Sequence, residues 1–187
     1  DLGIARDNLD SITVVLKRGL SEADVVLISA GTSVGERDLV PEVIGALGKP
    51  GLVVHGVRMR PAYPTGLAVV DGKPMVSLPG YPLSAVIAFN VFVRPLLLKM
   101  MNASEETPPR VKTRLLHDVT ARPGYRTFAR VFVRRTTGGY EAELIKTSGA
   151  GILSSLIRAN AWLVIPEDRG GYSAGEEVEV TLIRPME

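Results

Sequence analysis

The chain has 187 residues, 45% of them hydrophobic, enough to bury a true core as one domain or two modest ones, which predicts a folded globular protein. It holds no cysteine and two histidines, His55 and His117, which excludes disulfides, thiolate catalysis and Cys-ligated zinc and argues against a histidine-rich metal site. The net charge of +2 conceals a basic stretch in which Arg110, Lys112, Arg114, Arg122, Arg126, Arg130, Arg134 and Arg135 face only Asp118; this is either a set of solvated strand faces or an attraction for an anionic partner.

Residues 7–20 place Leu9, Ile12, Leu16 and Leu20 at helical spacing, with Asp7 as N-cap and Gly19 near the end. The short aliphatic run 25–28 predicts a strand buried on both faces. After the loop 29–35, Val40, Val43, Ile44 and Leu47 repeat with helical period, GKPG breaks the chain, and 52–57 predicts another strand. Helix, strand, helix, strand is the pattern of a parallel sheet with right-handed crossovers, hence an α/β domain. LAVV-DG-KPMVSL then predicts a hairpin turning at Asp71-Gly72, with Pro74 placing this part at a sheet edge.

Residues 83–98 are apolar nearly all round, as in a helix buried in a core or a subunit interface, with Pro95 bending or ending it near Arg94. The polar, proline-bearing stretch 101–110 reads as a linker; Asn102-Ala103-Ser104 inside it matches a glycosylation sequon, taken as chance in a chain without secretory features. Beyond it, VKTRLL, TFARVFVRR, YEAELIK, AWLVI and EEVEVTLI are short β segments, with turns at Gly138-Gly139 and Gly170-Gly171. The expectation is an α/β domain over 1–100, a linker over 101–110, and a small all-β, barrel-like domain over 111–187. No apolar run approaches the roughly 18 to 20 residues needed to cross a bilayer, aromatics for stacking on nucleic acid are sparse, and the cytoplasm is the default location.

The loop after the first strand is the first candidate site. Parallel strands of open α/β sheets deliver their carboxyl ends to the ligand crevice. Ser29, Gly31, Thr32, Ser33 and Gly35 offer close backbone approach and hydroxyl donors ahead of a helix N-terminus, as suits a phosphate, although a plain strand-to-helix turn has the same composition. Asp38 is either the helix N-cap or a carboxylate holding Mg²⁺ beside bound phosphates. A second strand-to-helix loop, SLPGYPLS (77–84), carries Pro79, Gly80 and Ser84, the serine placed to cap the following helix. Between the two loops, Arg58 and Arg60 can grip an oxyanion. Thr32, Asp38, Arg60 and Ser84 are expected to converge on one anion-binding pocket.

SAGTSVGERD (29–38), MRPAYPT (59–65), LPGYPLS (78–84) with FNVFVRP (89–95), GYRTFAR (124–130) and SGAGILSSLIRAN (148–160) occur in the order found in the MoeA/gephyrin-type molybdopterin molybdenumtransferases, and the resemblance covers nearly the whole chain. It implies an α/β molybdopterin-binding domain followed by the family's C-terminal β domain. It also implies an enzyme that inserts molybdate into adenylylated molybdopterin and releases AMP in a Mg²⁺-dependent step, acting as a homodimer. By matching motif, Ser29 to Gly35 would hold the pterin nucleotide, and Asp38 would lie near metal and phosphates. Arg60 matches the first basic residue of the family's K-P-G-K-P segment and Pro64 its final proline, while Arg126 and Ser148 join them around molybdate.

The family's usual S-G-G, P-G-K-P and P-G-N-P read S-A-G, PAYP and PGYP here, which puts Ala30, Ala62, Tyr63 and Tyr81 in place of two glycines, a lysine and an asparagine. A phenol at Tyr63 donates one hydrogen bond but brings no positive charge, so the oxyanion, molybdate or tungstate, is not fixed by the motif. A non-catalytic pterin-nucleotide-binding or scaffold module of the same fold is the alternative reading. The family's first strand of this domain and two preceding domains are expected before Asp1, so the chain reads as the C-terminal part of the enzyme.

Overall fold

A computed structural model describes residues 1–30, 38–104, 107–145 and 152–186. The chain divides into two compact units: Asp1–Val57 with Ala62–Leu97, and Arg58–Pro61 with Leu98–Glu187.

In the first unit, α1 spans Leu9–Glu22. Its N-cap is Asn8, one residue later than expected, because the Asn8 carboxamide oxygen reaches the Ser11 amide at 2.9 Å, satisfying an orphan donor of the first turn. Gly19 lies inside the helix and does not end it; a Cβ there would meet Leu2 and Val26 side chains at 3.3 Å, so glycine lets α1 approach β1 (Val26–Ser29). At the other end, Lys73 Nζ donates to the carbonyls of Leu20 and Ala23 at 2.5 and 3.1 Å, where a cation complements the helix dipole.

The sheet has the order β1-β5-β4-β2, with β2 at Pro50–His55, β4 at Gly66–Val70 and β5 at Lys73–Leu78. β1 runs parallel to β5, and β4 runs antiparallel to both β5 and β2. β2 therefore points the same way as β1 and β5, as a β1–α2–β2 crossover requires, α2 being Leu39–Leu47. The correction to a purely parallel sheet is the hairpin: β4 and β5 insert between β1 and β2. Asp71 and Gly72, at φ 48° and 84°, form its turn as expected. Pro74 sits in a central strand, not at an edge. The pair flanking a two-residue turn, Val70 and Lys73, is the hydrogen-bonded one, so the Pro74 nitrogen faces away from β4, and β1 pairs with β5 only from Met75 onward. β1 is an edge of the described sheet, and Leu27 is exposed rather than buried. One core gathers Ile12, Leu16, Val26, Val40, Val43, Ile44, Ala68, Val70 and Met75 between the sheet and α1 and α2.

Helical structure runs from Pro82 to Met100: α3 (Pro82–Ala88), a π-helical segment (Phe89–Val93) and α4 (Arg94–Met100). Pro95 does not end it. Proline cannot donate to the fourth carbonyl back, and the ladder is already widened there, the Arg94 amide reaching Phe89 O five residues behind. Leu83, Ile87, Ala88 and Val93 are buried, whereas α4 has no buried residue, so the apolar surface is covered only in its first half. At 19 residues this helix is long and apolar enough to cross a membrane by length and composition, contrary to the expectation from the sequence; one such helix is weak evidence of a span.

In the second unit, β6 (Arg110–Leu115), β8 (Arg126–Thr136), β9 (Gly139–Leu144), β10 (Ala161–Ile165) and β12 (Glu177–Leu182) close a ring in the order β10-β12-β6-β9-β8 and back to β10. Alternate residues Leu115, Val131, Val133, Ala142, Ala161, Leu163, Ile165, Val178 and Val180 fill it, so this is the barrel expected of five alternating segments. β7 (Val119–Thr120) and β11 (Gly171–Tyr172) form a small separate ribbon. Gly171 is thus a strand residue rather than part of a turn: at φ 142° a Cβ would lie 2.1 Å from the Val119 carbonyl oxygen. α5 (Ile152–Arg158) precedes β10. β3 (Met59–Arg60), far away in sequence, joins the start of β8 in parallel, with Met59 opposite Arg126 and Arg60 opposite Thr127.

Candidate functional site

Because β1, β2 and β5 share a direction, their carboxyl ends lie at one end of the first unit, where an open α/β sheet binds its ligand. Ser29, at the end of β1, pairs with Leu78, at the end of β5. The next residues touch as well: the Ala30 amide donates to Leu78 O at 3.1 Å, and a Cβ on Gly80 would sit 3.3 Å from that of Ala30. The two strand-to-helix loops named from the sequence therefore meet, with Pro79 buried and Ser29 and Gly80 exposed. Ala30 adopts φ 69° and Ala62 φ 95°. Both stand where the resemblance expects glycine, and both keep the backbone glycine favours. Gly31, Thr32, Ser33 and Gly35 lie outside the described residues.

Asp38 is the N-cap of α2, its Oδ1 accepting the Val40 amide at 3.4 Å. Oδ2 is buried with no hydrogen-bond partner among the described residues. Burial raises the carboxyl above its ordinary pKa; the Val40 amide and the charge of His55 pull it back, and Asp7 adds to the rise. His55, which the sequence reading used only to argue against a metal site, ends β2 in the row His55, Gly66, Ser77, Ile28 across the sheet. The signal for it was its place inside the strand predicted over 52–57. An orphaned buried carboxylate oxygen beside a helix N-terminus fits a cation that also binds phosphate; among the described residues no group of three acidic or histidine side chains forms a complete metal cage, and Mg²⁺ commonly needs only one or two carboxylates.

Ser84 is buried in the first turn of α3. The N-cap there is Tyr81, whose side chain makes no capping bond, so the cap expected of Ser84 falls to a residue that cannot supply it.

The basic residues assemble in the second unit. The chain leaves the first unit after Val57 and returns at Ala62. The Val57 amide donates to Tyr63 O at 2.8 Å, and the fully buried Thr65 anchors the return by donating through Oγ1 to Ala62 O at 2.7 Å. Between these points, Arg60 lies on β3 and the Arg58 carbonyl accepts the Arg126 amide at 2.9 Å. Strand pairing thus sets Arg60 opposite Thr127 and Met59 opposite Arg126. The Arg60 and Arg122 guanidinium carbons lie 5.2 and 5.1 Å from the centroid of the Tyr125 ring. Arg126 is paired with Glu167, Nε to Oε1 at 3.1 Å and Nη2 to Oε2 at 3.4 Å.

The expected convergence is therefore divided: Asp38 and Ser84 belong to the first unit, Arg60 to the second, and Thr32 is not described. Pro64 belongs to the first unit, and Ser148 lies outside the described residues.

The "Probable molybdopterin binding domain" family model matches residues 1–99, and the "MoeA C-terminal region (domain IV)" model matches residues 112–183. A molybdopterin molybdenumtransferase of Staphylococcus aureus is 31% identical over 177 residues, which is 95% of this chain and 42% of that protein. The structure of a molybdopterin biosynthesis MoeA protein from Pyrococcus horikoshii superposes with a TM-score of 0.77 at 36% identity, over 98% of this chain and 43% of the other. A molybdenum cofactor biosynthesis protein from Pyrococcus furiosus gives 0.74 at 36% identity, over 96% and 56%. The chain thus spans about two fifths of the length of the curated relatives it matches. With both units matched in order, the chain belongs to the MoeA/gephyrin-type molybdopterin molybdenumtransferase family of molybdenum cofactor biosynthesis.

Proposed function

We propose that the protein carrying this chain inserts molybdate, or tungstate, into adenylylated molybdopterin, with water cleaving the phosphoanhydride to release AMP. The observation that carries this reading is Asp38 Oδ2, buried and without a partner among the described residues at the N-terminus of α2. A carboxylate oxygen shut off from water without a hydrogen bond is costly unless something compensates its charge. Mg²⁺, when bound, would neutralise charge on the phosphates and supply that compensation. Asp38 would hold it through Oδ2 while Oδ1 stays on the Val40 amide, which fixes the carboxylate plane. The loops at Ser29 and Gly80 would receive the pterin nucleotide through backbone amides, glycine at 80 leaving room for close approach. Arginine side chains of the barrel would receive the oxyanion.

The test uses the full-length protein, adenylylated molybdopterin, molybdate and Mg²⁺, with AMP followed by chromatography. Release of AMP that depends on molybdate and is abolished in Asp38→Asn is the expected result. Unchanged release in Asp38→Asn overturns the role of this carboxylate. Tyr63, uncharged where the family carries lysine, favours the second reading, a module that binds the pterin nucleotide without metal insertion; nucleotide binding with no AMP release would establish it.

A further inference from the structure

Asp38 Oδ2 is not the only buried oxygen without a partner at this end of the first unit. Ser77, in β5, is 4% exposed, and its Oγ has no hydrogen-bond partner among the described residues. Its face follows from the strand period: Met75, two residues back, packs with Val40, Val43 and Ile44 of α2 in one core, so Ser77 points to the side of the sheet that α2 covers. A Cβ on Gly66 would lie 3.1 Å from Ser77 Cβ and 3.4 Å from Leu52, which borders that core, so all three share this face. α2 packs on β2 and β4, the strands that carry His55 and Gly66 in the row of Ser77. Its N-terminus lies toward that row, since the charge of His55, the last residue of β2, acts on Asp38.

Two orphaned oxygens, one on Asp38 and one on Ser77, therefore stand on one face at one end of the sheet, by the first turn of a nine-residue helix. Glycine at 66 leaves the row between Ser77 and His55 without a side chain. A hydroxyl shut off from water is costly unless a bound group satisfies it. Mg²⁺ keeps several of its waters, and a serine hydroxyl can accept a hydrogen bond from one of them. Pro79, Gly80 and Ser84 are the residues of the following loop expected at the site; Ser77 is not among them.

We infer that Ser77 is a further binding residue of the site at Asp38, its hydroxyl bonding to the hydration shell of a divalent cation held by the Asp38 carboxylate. The cation rests on the proposed function; the orphaned hydroxyl does not.

The experiment titrates Mn²⁺, standing in for Mg²⁺, into the full-length protein with AMP present and follows free Mn²⁺ by electron paramagnetic resonance, for the parent, Ser77→Ala and Asp38→Asn. Thermal melts without cation are run alongside. Ser77→Ala should weaken Mn²⁺ binding about fivefold, while its melting temperature without cation equals or exceeds that of the parent, because the hydroxyl removed bonds to none of the described residues. A hydroxyl that serves only the fold gives the opposite pattern, a lower melting temperature with unchanged Mn²⁺ binding. That pattern, or Mn²⁺ bound by Ser77→Ala within twofold of the parent, overturns the inference. Loss of Mn²⁺ in Asp38→Asn but not in Ser77→Ala refutes the role of Ser77 alone. A parent that binds no Mn²⁺ at millimolar concentration, or Asp38→Asn that binds it as the parent does, refutes the Asp38 carboxylate as cation ligand and the inference with it. Mn²⁺ binding that needs both residues, without any release of AMP from adenylylated molybdopterin, refutes the enzyme alone.

Discussion

Asn160 closes a gap in the barrel, and replacing it with alanine tests how much that closure is worth. The backbone ladder between β8 and β10 begins at Ala161 opposite Val131 and does not reach Val133. The Asn160 carboxamide takes over as a surrogate peptide group, Oδ1 accepting the Val133 amide at 2.7 Å and Nδ2 donating to the Val133 carbonyl at 2.8 Å. Both residues are buried, Asn160 at 6% and Val133 at 1% exposure, so water cannot readily replace the lost partners. Each backbone group left unsatisfied costs about 1–3 kcal/mol, so Asn160→Ala should destabilise the barrel by about 2–5 kcal/mol. For a unit of this size that corresponds to a fall in Tm of roughly 10 °C or more. Trp162, the only tryptophan, is buried two residues away and reports the transition by fluorescence during urea or thermal unfolding. Asn160→Asp keeps the acceptor but loses the donor toward Val133 O and buries a charge, and should be at least as harmful at neutral pH. A loss below about 0.5 kcal/mol in Asn160→Ala would show that the two bonds are not what holds β8 to β10 here.

Other consequences follow from the caps and the tight backbone sites. Asp38→Asn keeps a side chain that caps helices well, while removing a carboxylate whose pKa burial has raised. A carboxyl raised on folding favours the folded state most below its unfolded pKa, and that contribution is lost as pH rises through the folded value; Asn should therefore gain stability relative to Asp on going from acid to neutral pH, and a difference that shrinks over that range would contradict the burial. Tyr81→Asn places a capable side chain at the N-cap of α3, where tyrosine makes no bond, and should stabilise the first unit by about 0.5–2 kcal/mol in chemical denaturation, no gain meaning that the first-turn amides are already satisfied. Gly171→Ala would drive a Cβ into the Val119 carbonyl oxygen at φ 142° and should cost about 1–3 kcal/mol, read as lost protection of the β7 and β11 amides in hydrogen exchange.

What the sequence made legible was whatever depends on near neighbours. The five barrel strands, the Asp71-Gly72 turn and the two central helices were visible because alternation, helical period and positive φ are local signals. Pro74 was misplaced because only the pairing register shows which way its nitrogen faces. Leu27 was expected to be buried because a short aliphatic run cannot reveal that its strand lies at an edge. Ala30 and Ala62 stand where the resemblance expects glycine, and only the backbone shows that the chain keeps the left-handed conformation there and accepts the strain of a Cβ. Asn160 was visible only as a member of a motif, and its role as a surrogate peptide group required knowing which strand stops short.

The basic stretch shows most clearly where a linear count of charge fails. Read along the chain, residues 110–135 set eight cations against one carboxylate. In the fold, Arg110 meets Glu179 at 3.1 Å, Lys112 meets Glu177 at 3.8 Å, Arg134 meets Glu141 at 3.0 Å and Arg126 meets Glu167, all acids supplied by segments outside that window. Pairs this exposed add little stability, but they cancel the field that the sequence seemed to promise. Arg122 lies 5.1 Å from the centroid of the Tyr125 ring, and Arg60 reaches the same ring from outside the stretch altogether. An aromatic partner holds a cation without neutralising it. The basic face promised by a linear count is thereby halved, four of its eight cations meeting acids that the fold brings in from beyond the stretch.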